Sequence, residues 1–164
     1  MKIFTDGACS SNGKSHARAG CGVYIQGTRE EFSLSLDEAK KICNITCEIK
    51  DTNNTGELLA ILCAFYLCRD KELVIYTDSM YSINCITVWN NNWIKNNWMT
   101  STGKVVKNRA LIEAIINKKK NFNVIFIHVN SHRKEPDASS LDHENWFGND
   151  KADMLATRAI ASKN

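Results

Sequence analysis

The chain has 164 residues, of which 43% are hydrophobic and 24% charged, and it contains one proline. This composition excludes a disordered protein, and the length favours one domain over residues 1–164 with a single core. The net charge of +3 permits a polyanionic partner but is too small to indicate nucleic-acid binding by itself. No stretch approaches the ~18 apolar residues of a membrane span, so we expect no membrane partner.

The seven cysteines are spread along the chain without a CxxC pair. No histidine or cysteine at zinc-ligand spacing accompanies them, so a zinc site is not predicted. Free thiols are typical of reducing compartments, and the opening residues MKIFTDGAC contain no long apolar signal region. We therefore expect an intracellular protein of the nucleus or cytoplasm, with reduced and buried cysteines.

The first half of the chain predicts three strands, a helix and a fourth strand. Lys2–Thr5, Cys21–Ile25 and Glu31–Leu36 have the short apolar runs of strands, separated by glycine-containing turns. From Gly56 the apolar residues repeat at helical spacing. The continuous apolar run Leu73–Tyr76 predicts a strand that is covered on both faces.

The second half predicts helices, a fifth strand and a closing helix. An aromatic and asparagine-rich region covers 79–97, and a helix is predicted over 105–119. Val124–His128 suits a strand, 133–147 a long loop, and the rest of the chain a helix. Antiparallel strands followed by βαβ units predict an α/β protein of mixed α+β type, with helices on the faces of a mixed sheet.

Four carboxylates lie at the ends of these predicted elements: Asp6, Glu57, Asp78 and Asp153. Strand ends and helix starts of an open α/β sheet meet at one rim, where ligand sites form. Like charges brought together there repel unless a cation binds, and Mg²⁺ favours oxygen-only sites. Each acid alone is also explained as a turn residue or as a partner of a helix dipole. The four together favour a metal site.

The motifs that contain these acids resemble those of the type 1 ribonucleases H. They are FTDGACSSNG at 4–13, TNNTGELLAI at 52–61, YTDSMYSIN at 76–84 and GNDKADMLA at 148–156. The strings SSNGKSHARAGCGVY at 10–24 and WIKNNWMTSTGKVVKN at 93–108 are similar to the cellular eukaryotic branch. The resemblance runs from residue 2 to about 160 in the family's order, and it implies a five-stranded mixed sheet with helices on both faces. It covers the catalytic domain only, without a separate hybrid-binding module.

The resemblance implies an endonuclease that hydrolyses the RNA strand of RNA–DNA hybrids. Asp6, Glu57, Asp78 and Asp153 would bind two Mg²⁺ ions, with Mn²⁺ as a substitute, and the products would carry 5′-phosphate and 3′-hydroxyl ends. His132 corresponds to a mobile catalytic histidine near the metals. Nothing in the sequence demands an obligate protein partner, and we expect a monomer.

The resemblance also assigns substrate contacts in three groups. The RNA strand would contact Cys9, Ser10, Asn12, Asn53 and Asn54. A phosphate of the DNA strand would enter a pocket of Lys50, Thr52 and Asn108. The sugars of the DNA strand would lie against Tyr81, Trp89 and Trp93. Trp98 is better explained as a packing residue, and His128 as a structural one.

Three departures from the family pattern stand out. Lys50 replaces an arginine, which keeps the charge but loses the bidentate fork. Asp150 stands where the family commonly has a glutamate. The loop after His132 is roughly ten residues longer than in typical relatives, and loops of such length are often functional.

Three other interpretations remain open. The wider ribonuclease-H-like superfamily includes integrases, transposases, exonucleases and resolvases, which act on DNA. A decayed nuclease would bind hybrids without cutting them. A generic α/β domain would carry the four acids as surface charges.

Overall fold

The protein, seen here as a computed structural model that describes residues 1–161, is built on one five-stranded mixed sheet. The strands are β1 (Lys2–Ser10), β2 (Arg18–Ile25), β3 (Glu31–Ser35), β4 (Glu72–Thr77) and β5 (Asn123–His128). Their order is β3-β2-β1-β4-β5; the first three are antiparallel, whereas β4 is parallel to both β1 and β5. The predicted mixed sheet is confirmed, and so is the interior position of the Leu73–Tyr76 strand.

The helices are α1 (Leu36–Ile42), α2 (Asn53–Leu67), α3 (Met80–Asn84), α4 (Asn90–Lys95), α5 (Arg109–Lys119) and α6 (His143–Ile160). A π-helical turn, Cys85–Trp89, joins α3 to α4. The Thr52 hydroxyl caps α2 by accepting from the Thr55 N–H at 3.0 Å. Almost every residue from Thr55 to Phe65 is buried, because α2 packs on the sheet as well as on α1 and α5.

Helices α2 and α6 cover opposite faces of the sheet. Ile3 of β1 belongs to the same apolar cluster as α2, whereas the neighbouring Phe4 stacks on Tyr76 at 4.6 Å between ring centroids and packs against Gly148 of α6. Side chains alternate between the two faces of a strand, so β1 contacts both helices. The predicted helices on both faces are therefore confirmed. None of the helices in residues 1–161 is long and apolar enough to span a bilayer.

Several predicted boundaries are wrong. Strand β1 runs on to Ser10 instead of ending at Thr5, β2 begins at Arg18 rather than Cys21, and α2 begins at Asn53 rather than Gly56. Helix α6 begins at His143, so 143–147 is helical rather than part of a loop. Helix α5 begins at Arg109 and not at 105, because Val105 pairs with Met99 and Asn108 takes a left-handed conformation with φ 64°. The strand predicted to reach Leu36 ends at Ser35, where a capping box with Glu38 starts α1.

The seven cysteines are free thiols. Five are buried, whereas Cys9 is partly exposed and Cys47 is exposed, so the prediction that all seven are buried is wrong for these two. Cys47 lies in the irregular segment between α1 and α2, between the exposed residues Thr46 and Glu48.

Gly7 lets β1 approach the backbone of α2 closely. A Cβ at position 7 would lie 2.2 Å from the Glu57 backbone nitrogen, whereas one on the facing Gly56 would have its nearest contact at 3.0 Å. We expect Gly7→Ala to lower the free energy of unfolding by about 3 kcal/mol, because backbone has to move. Gly56→Ala should cost less than about 1 kcal/mol, since alanine also favours the helix. Urea unfolding of both variants measures this, and equal midpoints would contradict the close approach.

Candidate active site

Three carboxylates that are far apart in the sequence meet at one rim of the sheet. Asp6 lies in β1, Glu57 in the first half of α2, and Asp78 directly after β4. One carboxylate oxygen from each lies within 4.8 Å of the others. The parallel register pairs Phe4 with Tyr76, which brings Asp6 and Asp78 to the same height two residues later. The close packing at Gly7 then places Glu57 beside them.

Burial makes this cluster electrostatically costly. It is the main cause that raises the pKa of Asp6 to about 8; the charges of Asp78 and Asp153 add to the rise, and a hydrogen bond with Glu57 opposes it. Burial, followed by the charge of Asp6, also raises the pKa of Glu57 well above its ordinary value. The two carboxyl groups therefore resist ionisation together as long as no positive charge is near.

The donor set fits a hard divalent cation. The Glu57 Oε2 atom is buried and has no hydrogen-bond partner within residues 1–161. The ion pairs formed by that part of the chain include none of Asp6, Glu57, Asp78 and Asp153. An unpartnered buried carboxylate oxygen in an all-oxygen cluster is what Mg²⁺ binds, with the remaining positions taken by water.

Asp153 and His132 lie at the side of this cluster. Both line a small cavity of about 30 Å³ together with Asp78 and Asp150. Asp153 is not one of the three acids whose oxygens meet, but it lies near enough to affect the pKa of Asp6. It is placed in the middle of α6, rather than in the predicted first turns, because that helix begins early. His132 is exposed, with φ 52° in the left-handed region.

A second groove, of about 570 Å³, contains the residues assigned to the phosphate pocket and part of the RNA-side set. It is lined by Asn12, Gly13, Lys50, Thr52, Asn53, Asn54, Lys107 and Asn108. The Asn12 Oδ1 atom accepts from the Asn53 backbone N–H at 3.0 Å, which joins the turn after β1 to the start of α2. The Thr55 hydroxyl donates to the Lys50 carbonyl at 2.6 Å and so fixes the approach to the cap. These two hydrogen bonds therefore fix the backbone segments that form the walls of the groove.

The aromatic residues form a row beside this groove. Centroid distances are 6.1 Å for Tyr81 and Trp89, 5.9 Å for Trp89 and Trp93, and 6.1 Å for Trp93 and Trp98. Trp89 is 39% exposed and Trp98 only 8%, so the former offers a ring face to a ligand and the latter packs, as predicted. The Tyr81 hydroxyl accepts from Asn108 Nδ2 at 2.9 Å, which links the row to the groove.

Cys9 and Ser10 lie at the end of β1, between Asp6 and the turn that carries Asn12. Both are half-buried, and the Ser10 hydroxyl donates to the Arg18 carbonyl at 3.5 Å on the neighbouring strand. His128 is exposed at the end of β5, and its Nε2 atom lies 3.2 Å from the Asp78 carbonyl oxygen. It thus contacts the backbone of a site residue, which the sequence did not indicate.

The structure adds residues that sequence reasoning missed. Asn149, Trp146 and Arg133 line the cavity around His132, and Lys107 lines the second groove. Asn149 lies within the GNDKAD motif and could have been identified from it. Trp146 and Arg133 lie in the segment predicted as a loop, where no pattern indicated a fixed position.

Known proteins resemble this chain along its whole length. The RNase H family model matches residues 1–161. Ribonuclease H1 of Mus musculus is 34% identical over 157 residues, covering 94% of this chain and 48% of the relative, so the chain spans about half the length of that protein. Ribonuclease H of Bartonella bacilliformis is 33% identical over 161 residues, covering 98% of this chain and 88% of the relative. The solved structure of the PFV RNase H domain has a TM-score of 0.65 at 20% identity, covering 96% of this chain and 92% of that one.

The family match and the agreement with the Bartonella relative extend over all three elements that bring the clustered acids together. The solved structure has the same fold. The chain belongs to the RNase H family.

Proposed function

We propose that this protein is a ribonuclease H, an endonuclease that hydrolyses the RNA strand of RNA–DNA hybrids. The observation that carries the proposal is the meeting of Asp6, Glu57 and Asp78 within 4.8 Å at the rim, in a chain of this family. The products would carry 5′-phosphate and 3′-hydroxyl ends. We further propose that residues 1–164 act as one catalytic domain and as a monomer, which sedimentation would test.

Asp6, Glu57, Asp78 and Asp153 would hold two Mg²⁺ ions, for which Mn²⁺ can substitute. Asp6 is the central ligand of this proposal, because its pKa responds to each of the other three acids. When bound, the ions supply an activated water and stabilise the leaving 3′-oxygen. The residues supply a rigid, partly buried cradle: Asp6 Oδ1 also accepts from the Gly7 N–H at 2.9 Å, which limits its rotation.

His132 lies beside the cluster and faces the cavity shared with Asp78 and Asp153. Imidazole side chains commonly act as general acids and bases in enzymes. We propose that it moves protons or assists release of the cut strand. Asp150, on the same rim, would act only through its charge.

Selectivity for the hybrid would arise because different residues of the protein contact the RNA strand and the DNA strand. The Asn12 Oδ1 atom accepts a hydrogen bond within the protein, which leaves the Nδ2 atom to donate to a 2′-hydroxyl of the RNA strand. The other contacts to the RNA strand would come from Asn53, Asn54, Cys9 and Ser10. Lys50, Thr52 and Asn108 would bind a phosphate of the DNA strand. The exposed face of Trp89, with Trp93 and Tyr81, would support the sugars of that strand.

The deciding experiment is cleavage of an end-labelled RNA–DNA hybrid with Mg²⁺, beside duplex DNA, duplex RNA and single-stranded RNA. We expect cutting of the hybrid alone, in its RNA strand, and complete loss with EDTA. Cleavage of duplex DNA would instead indicate a DNA-processing relative. Tight binding of the hybrid without cleavage would indicate a decayed nuclease.

Lys50 offers a sharper test of the phosphate groove. We expect Lys50→Arg to strengthen hybrid binding several-fold, because a guanidinium binds phosphate in a bidentate way. Lys50→Ala should weaken binding and reduce the slope of log K against log salt by about one. Fluorescence anisotropy at several salt concentrations measures both. Lys71→Ala, just before the start of β4, is the matched control and should leave the slope unchanged; an equal change there would contradict the assignment.

A further inference from the structure

His132 has a backbone conformation that is uncommon for residues other than glycine. Its φ of 52° lies in the left-handed region, which costs a non-glycine residue roughly 1–2 kcal/mol. Such a conformation persists only where the surroundings determine it. His132 itself is exposed, so the contacts that hold it have to come from the chain next to it.

The residue after His132 provides these contacts. The Arg133 carbonyl accepts from the Trp146 indole Nε1–H at 3.1 Å. The Arg133 guanidinium forms an ion pair with the Asp142 carboxylate and also lies 3.4 Å from the Asp142 carbonyl oxygen. Asp142 is the N-cap residue of α6, and Trp146 lies in its first turn. Arg133, the residue next to His132, is therefore tied to this helix at two points, through its carbonyl oxygen and through its guanidinium.

Helix α6 also carries Asp153, one of the four acids of the site, and Asp150. Trp146, Asp150 and Asp153 are spaced i, i+4 and i+7, so they lie on one face of the helix. All three line the cavity that contains His132. The same rigid element thus places Asp153 and the contact that fixes the histidine, and its early start at His143 is what brings the indole into reach.

We propose that Trp146 is a positioning residue, whose indole N–H holds the Arg133 carbonyl and thereby keeps His132 beside the carboxylate cluster. Its effect on cleavage rests on the proposed function, whereas its effect on the histidine does not. The extra residues between His132 and the GNDKAD motif thus act as an anchor for the histidine rather than as a free loop.

The kinetic test is Trp146→Phe, which keeps an aromatic ring but removes the donor. We expect kcat on the hybrid to fall about 3- to 10-fold with KM within about twofold, the size of one lost hydrogen bond. In a His132→Ala background the same change should have no further effect. Glu135→Gln is the matched control in the same segment, since it leaves the Trp146–Arg133 hydrogen bond intact, and it should leave kcat within about twofold.

The second readout does not depend on activity. In the metal-free protein, the imidazole Hε1 resonance of His132, assigned with His132→Ala, should move towards its unfolded position in Trp146→Phe and stay in place in Glu135→Gln. Equal losses of kcat with and without His132, or an unmoved resonance, would overturn the inference. If the wild-type protein cuts no hybrid, the proposed function fails, and the resonance alone decides the role of Trp146.

Discussion

Replacing Asp78 with asparagine is expected to lower the rate of RNA-strand cleavage by on the order of 10³-fold or more. Asparagine keeps the shape of the side chain but removes its charge, and a cation site of this kind contributes several kcal/mol to the stabilisation of the transition state. The backbone at position 78 should stay in place, because His128 contacts the carbonyl oxygen and not the side chain. Single-turnover cleavage with Mg²⁺ measures the effect without interference from product release.

The control for this variant is Asp70→Asn. Asp70 lies just before β4 and Asp78 just after it, so the two are separated by the length of the strand, roughly 20 Å. Both substitutions change the net charge equally, and the Asp70 Oδ1 atom that accepts from the Glu72 N–H is retained in asparagine. The control should cleave at nearly the wild-type rate. If Asp78→Asn keeps more than about a tenth of the rate, the carboxylate is not essential to the cation site.

The metal-free protein should lose stability as the pH rises, and Asp6→Asn should prevent much of that loss. In the unfolded chain Asp6 ionises near its ordinary pKa of 3.8, whereas in the folded protein the pKa is about 8. Between these values the unfolded state releases a proton that the folded state keeps. The free energy of unfolding therefore falls from about pH 4 to about pH 8, by an amount on the order of a few kcal/mol. Burial raises the pKa of Glu57 as well, so this residue contributes to the same loss of stability.

Urea unfolding in EDTA at pH 5, 7 and 8.5 measures this effect. Wild-type and Asp6→Asn proteins should be closest in stability at pH 5, and the variant should be the more stable at pH 8.5. Adding Mg²⁺ at pH 8.5 should then stabilise the wild-type protein much more than the variant, because only the former has the full carboxylate set. Glu48→Gln, at an exposed carboxylate, should follow the wild-type profile. Parallel profiles for wild type and Asp6→Asn would contradict the raised pKa.

The sequence by itself determined the strands, the three long helices α2, α5 and α6, and the acids of the site, whereas no bounds were predicted for the short helices α1, α3 and α4. Alternating or continuous apolar runs are local signals, and they placed four of the five strands within a few residues of their true ends, whereas β1 extends from its predicted end at Thr5 to Ser10. Asp6, Glu57 and Asp78 were identified because each lies in a short motif at the edge of such an element. The N-terminus of α2 was less clear, since the Thr52 cap precedes polar residues that carry no helical pattern.

Only the tertiary structure decided the contacts between distant segments. At the start of α6, Trp146 and Phe147 contact Arg133 and Tyr24, which are distant in the sequence. Asp6 and Asp78 come together through a parallel register, which no local pattern specifies because β2, β3, α1 and α2 lie between the two strands in the sequence. The left-handed conformation of His132 likewise depends on side chains ten or more residues away. The tendency to form a helix or a strand depends on residues that are near in the sequence, whereas the geometry of this site depends on packing across the sheet.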